Sequence, residues 1–415
     1  MISEDRTMKP LRILHTGDWH LGKFLGRFSR LEEQEDFLKE LKEVVVSQDI
    51  HLVLVAGDIY DNFNPPIRAQ ELFFKYCKEI SDNGKRAICI IAGNHDSPER
   101  IEAPYPFSME SGVILSGYPD SELPHFSLSS DLRVLRSDPG FLEIQIPNIE
   151  FPVRILLTPY ANEQRLKVGY NDSEKSPGEI LKEIWAATSE KYCDTNGVNL
   201  LITHLFVMKE GGERPEEPEE EKSVLTVGGA DIVHTSSFPP GIQYAALGHL
   251  HRYRVVSKSP YPIVYAGSPL PYSLKEDDQV KYFSIVEVSP GTEAKLEKYQ
   301  IQSGLPIHRR KFPDTDSAIE YLSSHPDIYI ELTLQTEDFI RSEDHRRLRE
   351  SHPRIINIIP EIKNLSDRME SEHSIDPDKP IEELFSEYFH FKQNIPPNEE
   401  IISLFREILN SGGES

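Results

Sequence analysis

An α/β fold built on a largely parallel sheet is what this sequence of 415 residues predicts. Three observations lead there. Short, uninterrupted apolar runs alternate with segments whose apolar residues recur at helical spacing. Those runs lack the polar alternation of a half-exposed strand, as expected where both faces are covered. Chemically active side chains follow directly on the C-terminal ends of the runs, where open α/β sheets place their sites.

Leu11 to Thr16 reads as a strand entering a loop at Gly17-Asp18-Trp19-His20. Leu31 to Val46 is a helix, with Leu31, Phe37, Leu38, Leu41, Val44 and Val45 at helical spacing and acids and lysines between them. Leu52 to Ala56 is a buried strand, Arg68 to Ile80 a second helix, and Ala87 to Ala92 a further strand ending at Gly93. Between Met109 and Ile146, proline and serine punctuate short strands. Val153 to Leu157 and Leu200 to Thr203 resume the buried style around a helix at Glu179 to Tyr192; Tyr244 to Gly248 and Ile263 to Ala266 follow. From Tyr282 the pattern changes. Phe283 to Val288 and Lys295 to Ile301 flank Ser289-Pro290-Gly291 as a β-hairpin. With that hairpin, helices near Ser317 to Ser323 and Asp344 to Glu350 and strands at Ile328 to Leu334 and Ile355 to Ile359 make a small α+β module. Leu365 to Lys379 is charged and linker-like. Two amphipathic helices, Ile381 to Phe391 and Glu399 to Leu409, then lie on either side of Pro396-Pro397.

A chain of this length implies two or three domains. Its formal net charge is −24 and its pI is near 5.1. A polyanionic substrate would therefore need local basic patches, divalent cations or a basic partner. The three cysteines, Cys77, Cys89 and Cys193, form no ligand spacing, and the first two sit in apolar runs as buried reduced thiols. That usage fits a reducing compartment. No apolar stretch is long enough to span a bilayer, and residues 1–10 read as a disordered lead-in without a signal pattern. A cytoplasmic protein is expected, with no membrane partner.

Five stretches carry the chemistry: Asp18-x-His20, Gly57-Asp58, Gly93-Asn94-His95-Asp96, Thr203-His204 and Gly248-His249-Leu250-His251. They hold three aspartates, one asparagine and five histidines. Extended backbone projects alternate side chains to one side. Asp18 with His20, and His249 with His251, then either grip one ion together or divide between two. Asp58 is a charged oxygen donor able to bridge two cations, Asn94 offers an amide oxygen and His204 an imidazole. Such mixed ligation suits Mn²⁺, Fe²⁺ or Zn²⁺ better than Mg²⁺ or Ca²⁺, and the lack of thiolates argues against a structural zinc site. Two such ions would neutralise a phosphodiester and activate a water for attack. His95, next to Asn94 but pointing elsewhere in an extended chain, is the candidate for stabilising the transition state or protonating the leaving oxygen. Asp96 could orient it. His15, inside the first strand, reads as a core or supporting histidine.

Asp18-Trp19-His20-Leu21-Gly22, Ala56-Gly57-Asp58-Ile59-Tyr60-Asp61, Gly93-Asn94-His95-Asp96, Thr203-His204-Leu205 and Ala245 to His251 resemble the motifs of calcineurin-like metallophosphoesterases. With Tyr265-Ala266-Gly267-Ser268-Pro269, their wording resembles more closely the bacterial SbcD nuclease subunits, whose archaeal and eukaryotic relatives repair double-strand breaks. The likeness covers essentially the whole chain and is strongest through residue 275. It implies an α/β fold in which a two-sheet metallophosphoesterase sandwich flanked by helices occupies residues 11–279. A smaller α+β capping domain would span 280–364, a linker 365–379 and a C-terminal helical segment 380–410. The resemblance also implies two divalent metal ions, Mn foremost. Asp18, His20, Asp58 and His251 would hold one, and Asp58, Asn94, His204 and His249 the other, with His95 as the catalytic histidine and Asp96 beside it. Some archaeal and eukaryotic relatives carry a further histidine shortly after the second motif, where this chain has Asp61. That histidine's role does not carry over.

The same resemblance implies 3′-to-5′ duplex exonuclease and single-strand or hairpin endonuclease activities in DNA repair, recombination and replication. Its substrates would be double- and single-stranded DNA ends and hairpins. Its partner would be an SbcC-type coiled-coil ATPase, with a nuclease homodimer inside a complex of two nuclease and two ATPase subunits. No GxxxxGK[ST] phosphate loop occurs in the sequence.

Basic residues near the motifs are candidates for phosphate contact: Lys23, Arg27 and Arg30 after the first, and Arg252 and Arg254 after the last. Arg309, Arg310, Lys311, Arg346, Arg347 and Arg349, in the module, read as a solvated face, and the acidic stretch Glu213 to Glu221 as a solvated loop. On the C-terminal helices, Leu384, Phe385, Tyr388 and Phe389, then Ile401, Leu404, Phe405 and Ile408, form apolar stripes. The polar linker before them favours docking on a partner over folding back. Two other readings share these observations. A phosphatase or small-nucleotide phosphodiesterase could use the same core, though the long C-terminal extension argues against it. A structural DNA-end-binding scaffold with a vestigial site is opposed by the completeness of the ligand set.

Overall fold

The computed structural model describes residues 8–166, 175–212, 214, 232–337, 340–362, 381–393, 397, 401–402 and 405–406. In chain order, β1 (Leu11–Thr16), α1 (Leu31–Ser47), β2 (Leu52–Ala56), α2 (Ile67–Ser81), β3 (Ala87–Ile91) and β4 (Val113–Ser116) alternate strand and helix. There follow β5 (Arg133–Asp138), β6 (Phe141–Gln145), β7 (Val153–Thr158), α3 (Pro177–Tyr192), β8 (Val198–His204), β9 (Tyr244–Gly248), β10 (Arg254–Ser257) and β11 (Ile263–Tyr265). A hairpin, β12 (Tyr282–Val288) and β13 (Lys295–Gln300), closes this region. The strands form a six-stranded sheet, β13-β12-β1-β2-β3-β4, and a seven-stranded sheet, β10-β11-β9-β8-β7-β6-β5. In the six-stranded sheet β1 to β4 run parallel and the hairpin β12–β13 adds an antiparallel edge; in the seven-stranded sheet β7, β8, β9 and β11 are parallel and both edges antiparallel.

The apolar runs of the central strands have a direct cause: both faces are covered. Leu52, Leu54, Ala56, Ala87, Cys89 and Ile91 face the other sheet, against Ile155, Leu200, Ile202 and Ala246. Their neighbours Val53, Val55, Ile88 and Ile90 point the opposite way, beneath Phe37, Leu41, Leu72 and Phe73 of α1 and α2. On the far side, Leu181 and Trp185 of α3 cover Leu201 and Leu247. Burying one such side chain stabilises by about 1.5–3 kcal/mol. The sandwich thereby holds the ends of β1, β2, β3, β8 and β9 in one place.

The hairpin expected over 283–301 forms, but outside the α+β module. β12 pairs antiparallel with β1, Ile13 opposite Val286, and extends the six-stranded sheet. Val286 and Val288 enter the core between the sheets, and Phe283 the core under α1. A strand with apolar side chains on both faces needs cover on both, which a small module cannot supply. The boundary expected at residue 280 therefore moves to just before Ile307. Beyond it, β14 (Ile307–Phe312), α4 (Thr315–Ser324), β15 (Tyr329–Thr336), α5 (Ser342–Ser351) and β16 (Ile355–Ile362) form a separate three-stranded parallel sheet with its helices. Ala318, Leu322, Ile330, Leu332 and Leu348 are its core. β14 leaves no strand signature in the sequence because only its ends, Ile307 and Phe312, are apolar and buried.

Of the C-terminal stripe, α6 (Ile381–Gln393) carries Phe385, whose ring stacks on Phe405 at 3.9 Å, and Glu382 pairs with Arg406 at 2.7 Å. Leu384, Phe389 and Ile401 are half-buried and Tyr388 is exposed. Leu404, Ile408, the linker 365–379 and the acidic stretch 213–221, apart from Arg214, lie outside the described residues.

His15 is a core histidine. Its Nδ1 lies 2.8 Å from the Tyr244 hydroxyl and its Nε2 3.2 Å from the Leu247 carbonyl. Burial lowers its pKa from 6.5 to about 3. The unfolded chain therefore takes up this proton first, and the stability linked to His15 is lost as pH falls from about 6.5 toward 3, by at most about 1.4 kcal/mol per pH unit. His15→Gln is expected to flatten the decline of the urea midpoint across that window. An unchanged slope would place the acid sensitivity elsewhere.

Candidate metal centre

Every motif sits at a C-terminal strand end: Asp18 and His20 beyond β1, Asp58 beyond β2, Asn94 and His95 beyond β3, His204 closing β8, and His249 and His251 beyond β9. Glycines permit the approach. A Cβ on Gly248 would collide with the Ala56 carbonyl, and one on Gly93 would land on the Asp58 carboxylate. The extended backbone expected at these stretches does not occur. Asp18, His20, Asp58 and His249 have φ of 50°, 45°, 48° and 107°, a region costing roughly 1–2 kcal/mol per side-chain-bearing residue. Cross-loop bonds hold them there: Asp18 N–H to the Gly57 carbonyl and His20 N–H to the Asp58 carbonyl, both at 3.0 Å. The His249 N–H donates to Asp18 Oδ1 at 2.8 Å. Strain of this kind persists where the surroundings over-determine it, as in ligand clamps.

The side chains converge on Asp58. Its Oδ2 lies 3.6 Å from His20 Nε2 and 3.3 Å from His204 Nε2. On the first side His20 and His251 point their Nε2 atoms at each other, 3.0 Å apart. On the second, Asn94 Oδ1 is 2.8 Å from His204 Nε2 and 3.2 Å from His249 Nδ1. Asp18 Oδ1 lies 3.8 Å from His204 Nδ1. All seven residues predicted as ligands are thus brought together, and all but Asn94 are buried.

The donor set fits divalent cations. His204 donates its Nδ1–H to the Ala56 carbonyl at 2.8 Å, so its Nε2 faces two acceptors, Asn94 Oδ1 and Asp58 Oδ2. Only a second ring proton or a cation reconciles that geometry. Burial opposes a charged ring, yet Asp58 and Asp18 raise His204 to about 9. Asp18 Oδ2 is buried without a hydrogen-bond partner among the described residues. Burial lifts the Asp18 pKa to about 6, against the pull of His204 and His251. Positive charge is what this cluster lacks.

His95 stands at the half-buried mouth. Its backbone N–H donates to Asp58 Oδ1 at 2.9 Å, while its ring Nδ1 donates to the Asp61 carbonyl at 2.9 Å. Asp96 does not take the orienting role expected of it. Its buried carboxylate accepts backbone N–H groups of Gly93 (2.8 Å), Tyr60 (3.0 Å) and Ile59 (3.1 Å), tying the second and third motifs together. Burial, then Asp58, raises its pKa to about 6.

Two predicted phosphate contacts are corrected. Arg30 is fully buried: it pairs with Glu33, lies 4.8 Å from the Tyr329 ring of β15 and bonds the Pro271 carbonyl. Tyr329 Oη also donates to Glu33 at 3.0 Å, so Arg30 joins the small module to the sandwich. Lys23 is buried and donates to Asp61 Oδ1 at 2.9 Å. Long aliphatic stems and nearby acids let both cations be enclosed, which a count of basic residues cannot foresee. Arg27, Arg252 and Arg254 are exposed. In the module Arg309, Arg310, Lys311 and Arg347 are ion-paired with Glu331, Asp277, Glu361 and Asp316.

Other residues reach the site from outside the motifs or, like Asp61, stand in a motif without an assigned role. Asp61 places a carboxylate oxygen within 4.8 Å of ring nitrogens of His20 and His95. Arg165 donates to the carbonyls of Gly93 (2.9 Å) and Asp96 (3.0 Å), clamping the loop that bears His95. Gln34 of α1 donates to the His20 carbonyl at 2.8 Å and accepts from Gly22 N–H at 2.9 Å. Glu276 lies 3.5 Å from His251 Nδ1.

A two-sheet sandwich whose strand ends gather carboxylates, an amide and imidazoles into one buried cluster defines a metallophosphoesterase. The family model described as calcineurin-like phosphoesterase matches residues 11–253. The SbcD component of the SbcCD nuclease from Bacillus subtilis (strain 168) is 33% identical over 407 residues, covering 96% of this chain and 98% of that protein. Its counterpart in Rhodobacter capsulatus is 31% identical over 268 residues (64% of each chain). That of Escherichia coli K12 is 26% identical over 345 residues, covering 80% of this chain and 79% of its own. The chain belongs to the calcineurin-like phosphoesterase family, in its SbcD nuclease branch. No helix among the described residues is long and apolar enough to cross a membrane.

Proposed function

We propose that this chain is the nuclease subunit of an SbcCD-type complex, a Mn²⁺-dependent hydrolase of DNA phosphodiester bonds. Its activities would be 3′-to-5′ duplex exonuclease and single-strand or hairpin endonuclease, in cytoplasmic DNA repair, recombination and replication. The observation that carries this reading is the pair of donor sets meeting at Asp58. Asp18, His20, Asp58 and His251 would hold one ion, and Asp58, Asn94, His204 and His249 the other. Bound there, the ions supply charge neutralisation of the phosphodiester and an activated water.

The chain's own residues do the rest. The Ala56 carbonyl fixes the His204 tautomer, and the Asp61 carbonyl fixes that of His95, whose Nε2 would serve the reacting centre. Protonated at Nε2, His95 gives that proton to the leaving oxygen. Arg165 and Asp96 keep its loop rigid. The exposed Arg27, Arg252 and Arg254 would contact phosphates and position the strand without reading sequence. The module beginning at Ile307, anchored through Tyr329 and Arg30, would cap the approach. The C-terminal helices, with Tyr388 exposed, would dock on the coiled coil of an SbcC-type ATPase. The exposed Phe74 and Phe107, which line one apolar cavity, would offer a surface for a nuclease homodimer.

The test is Mn²⁺-dependent cleavage of linear duplex, hairpin and single-stranded DNA, with and without the ATPase partner. Cleavage of DNA ends and hairpins is expected. Rapid hydrolysis of a small phosphodiester without DNA cleavage would favour a phosphodiesterase, and tight end binding without hydrolysis a scaffold.

A further inference from the structure

We propose that Glu276 is a positioning residue for His251, and through it for one of the two cation sites, with Lys281 as its charge partner. The inference rests on reading His251 as a metal-holding residue. Glu276 ends a short turn, Leu274–Glu276, whose N-cap is Ser273. It is 6% exposed, and Lys281 is 7% exposed, so both charges are withdrawn from water together. One carboxylate oxygen, Oε1, accepts the Tyr272 N–H at 3.1 Å and lies 3.5 Å from His251 Nδ1. The other, Oε2, is bonded to Lys281 Nζ. Lys281 Nζ in turn donates to the His251 carbonyl at 3.0 Å and to Ser268 Oγ at 2.9 Å. The buried pair therefore meets His251 at two points, hydrogen-bonding its backbone carbonyl and placing a carboxylate oxygen beside its ring.

A buried ion pair gives no more stability than apolar side chains of the same volume. A carboxylate oxygen 3.5 Å from Nδ1 would favour a proton on that nitrogen, more strongly than a neutral amide would. The tautomer so favoured carries its lone pair on Nε2, the atom aimed at His20 Nε2 across 3.0 Å. The Tyr272 ring lies edge-on to both imidazoles, with centroids 5.6 Å from His20 and 6.1 Å from His251, and limits their rotation. A carboxylate behind an imidazole ligand raises its basicity as well as orienting it. Lys281 offsets most of the carboxylate's charge, so Glu276 acts chiefly through its local polarisation of the His251 ring, which the neutral amide of glutamine would supply far more weakly.

The experiment is Mn²⁺ titration calorimetry on the full chain, comparing wild type with Glu276→Gln, Glu276→Gln/Lys281→Met and His251→Ala. Circular dichroism confirms that each variant is folded. In Glu276→Gln one binding event should weaken about 10–100-fold and the other stay unchanged. The double variant removes the ammonium that Glu276→Gln leaves unpaired. It should recover thermal stability but not affinity. Recovery of affinity in the double variant would show that Glu276 only balances Lys281 and would overturn the proposal. So would wild-type binding of both ions by Glu276→Gln while His251→Ala loses one. If His251→Ala itself binds both ions normally, the ligand reading fails, and this inference with it.

Discussion

His95→Ala should cleave DNA about 10²–10⁴-fold more slowly than wild type while binding the same number of Mn²⁺ ions. The separation follows from how the residue is attached. Its link to the ligand cluster is a backbone N–H to Asp58 Oδ1, which alanine retains. Its ring is instead committed to the Asp61 carbonyl through Nδ1, beside His20 at a centroid separation of 5.0 Å. Removing the ring thus removes a proton donor at the half-buried mouth and leaves the buried donors in place. Single-turnover cleavage of a labelled duplex gives the rate, and calorimetry gives the stoichiometry. Loss of metal together with turnover would mean that ligand and acid have been wrongly divided.

Asp58→Asn should have the larger effect, abolishing both binding events and all cleavage. Asp58 Oδ2 is the atom on which the two histidine sets meet, and the residue carries charge that an amide lacks. The loss should exceed the roughly 10–100-fold controlled by an outer partner such as Glu276. It should also differ in kind from His251→Ala, which removes a donor from one side only. Equilibrium dialysis against radioactive manganese distinguishes these patterns, and an Asp58→Asn protein that keeps one tightly bound ion would show that Asp58 is not shared.

The legible parts of this chain are those where a local pattern has a single physical cause. Leu52 to Ala56 and Ala87 to Ile91 announce buried parallel strands because helices and a second sheet cover their two faces. The residues that follow them are legible as one cluster because an imidazole or carboxylate buried at a strand end needs a partner. Legibility ends where the cause is distant in sequence. The β12–β13 hairpin reads as part of the small module because nothing in it records that β1, far earlier in the chain, is its neighbour, with Leu11 opposite Val288. Arg30 and Lys23 read as phosphate-contacting cations because nothing local shows that Glu33 and Asp61 enclose them. Asp96 reads as the partner of its sequence neighbour His95, whereas its carboxylate reaches across to the Asp58 loop. Glu276 stands in an acidic turn with no motif around it. The left-handed backbone of Asp18, His20, Asp58 and His249 is hidden as well, for it arises from cross-loop bonds that local sequence does not encode.

The measurement that bears most directly on the metal centre is anomalous diffraction at the manganese edge from crystals soaked in Mn²⁺. Two peaks are expected on opposite sides of Asp58, one reached by Asp18, His20 and His251 and the other by Asn94, His204 and His249. A single peak, or density confined to the neighbouring cluster of His20, Asp61 and His95, would contradict the shared-aspartate arrangement.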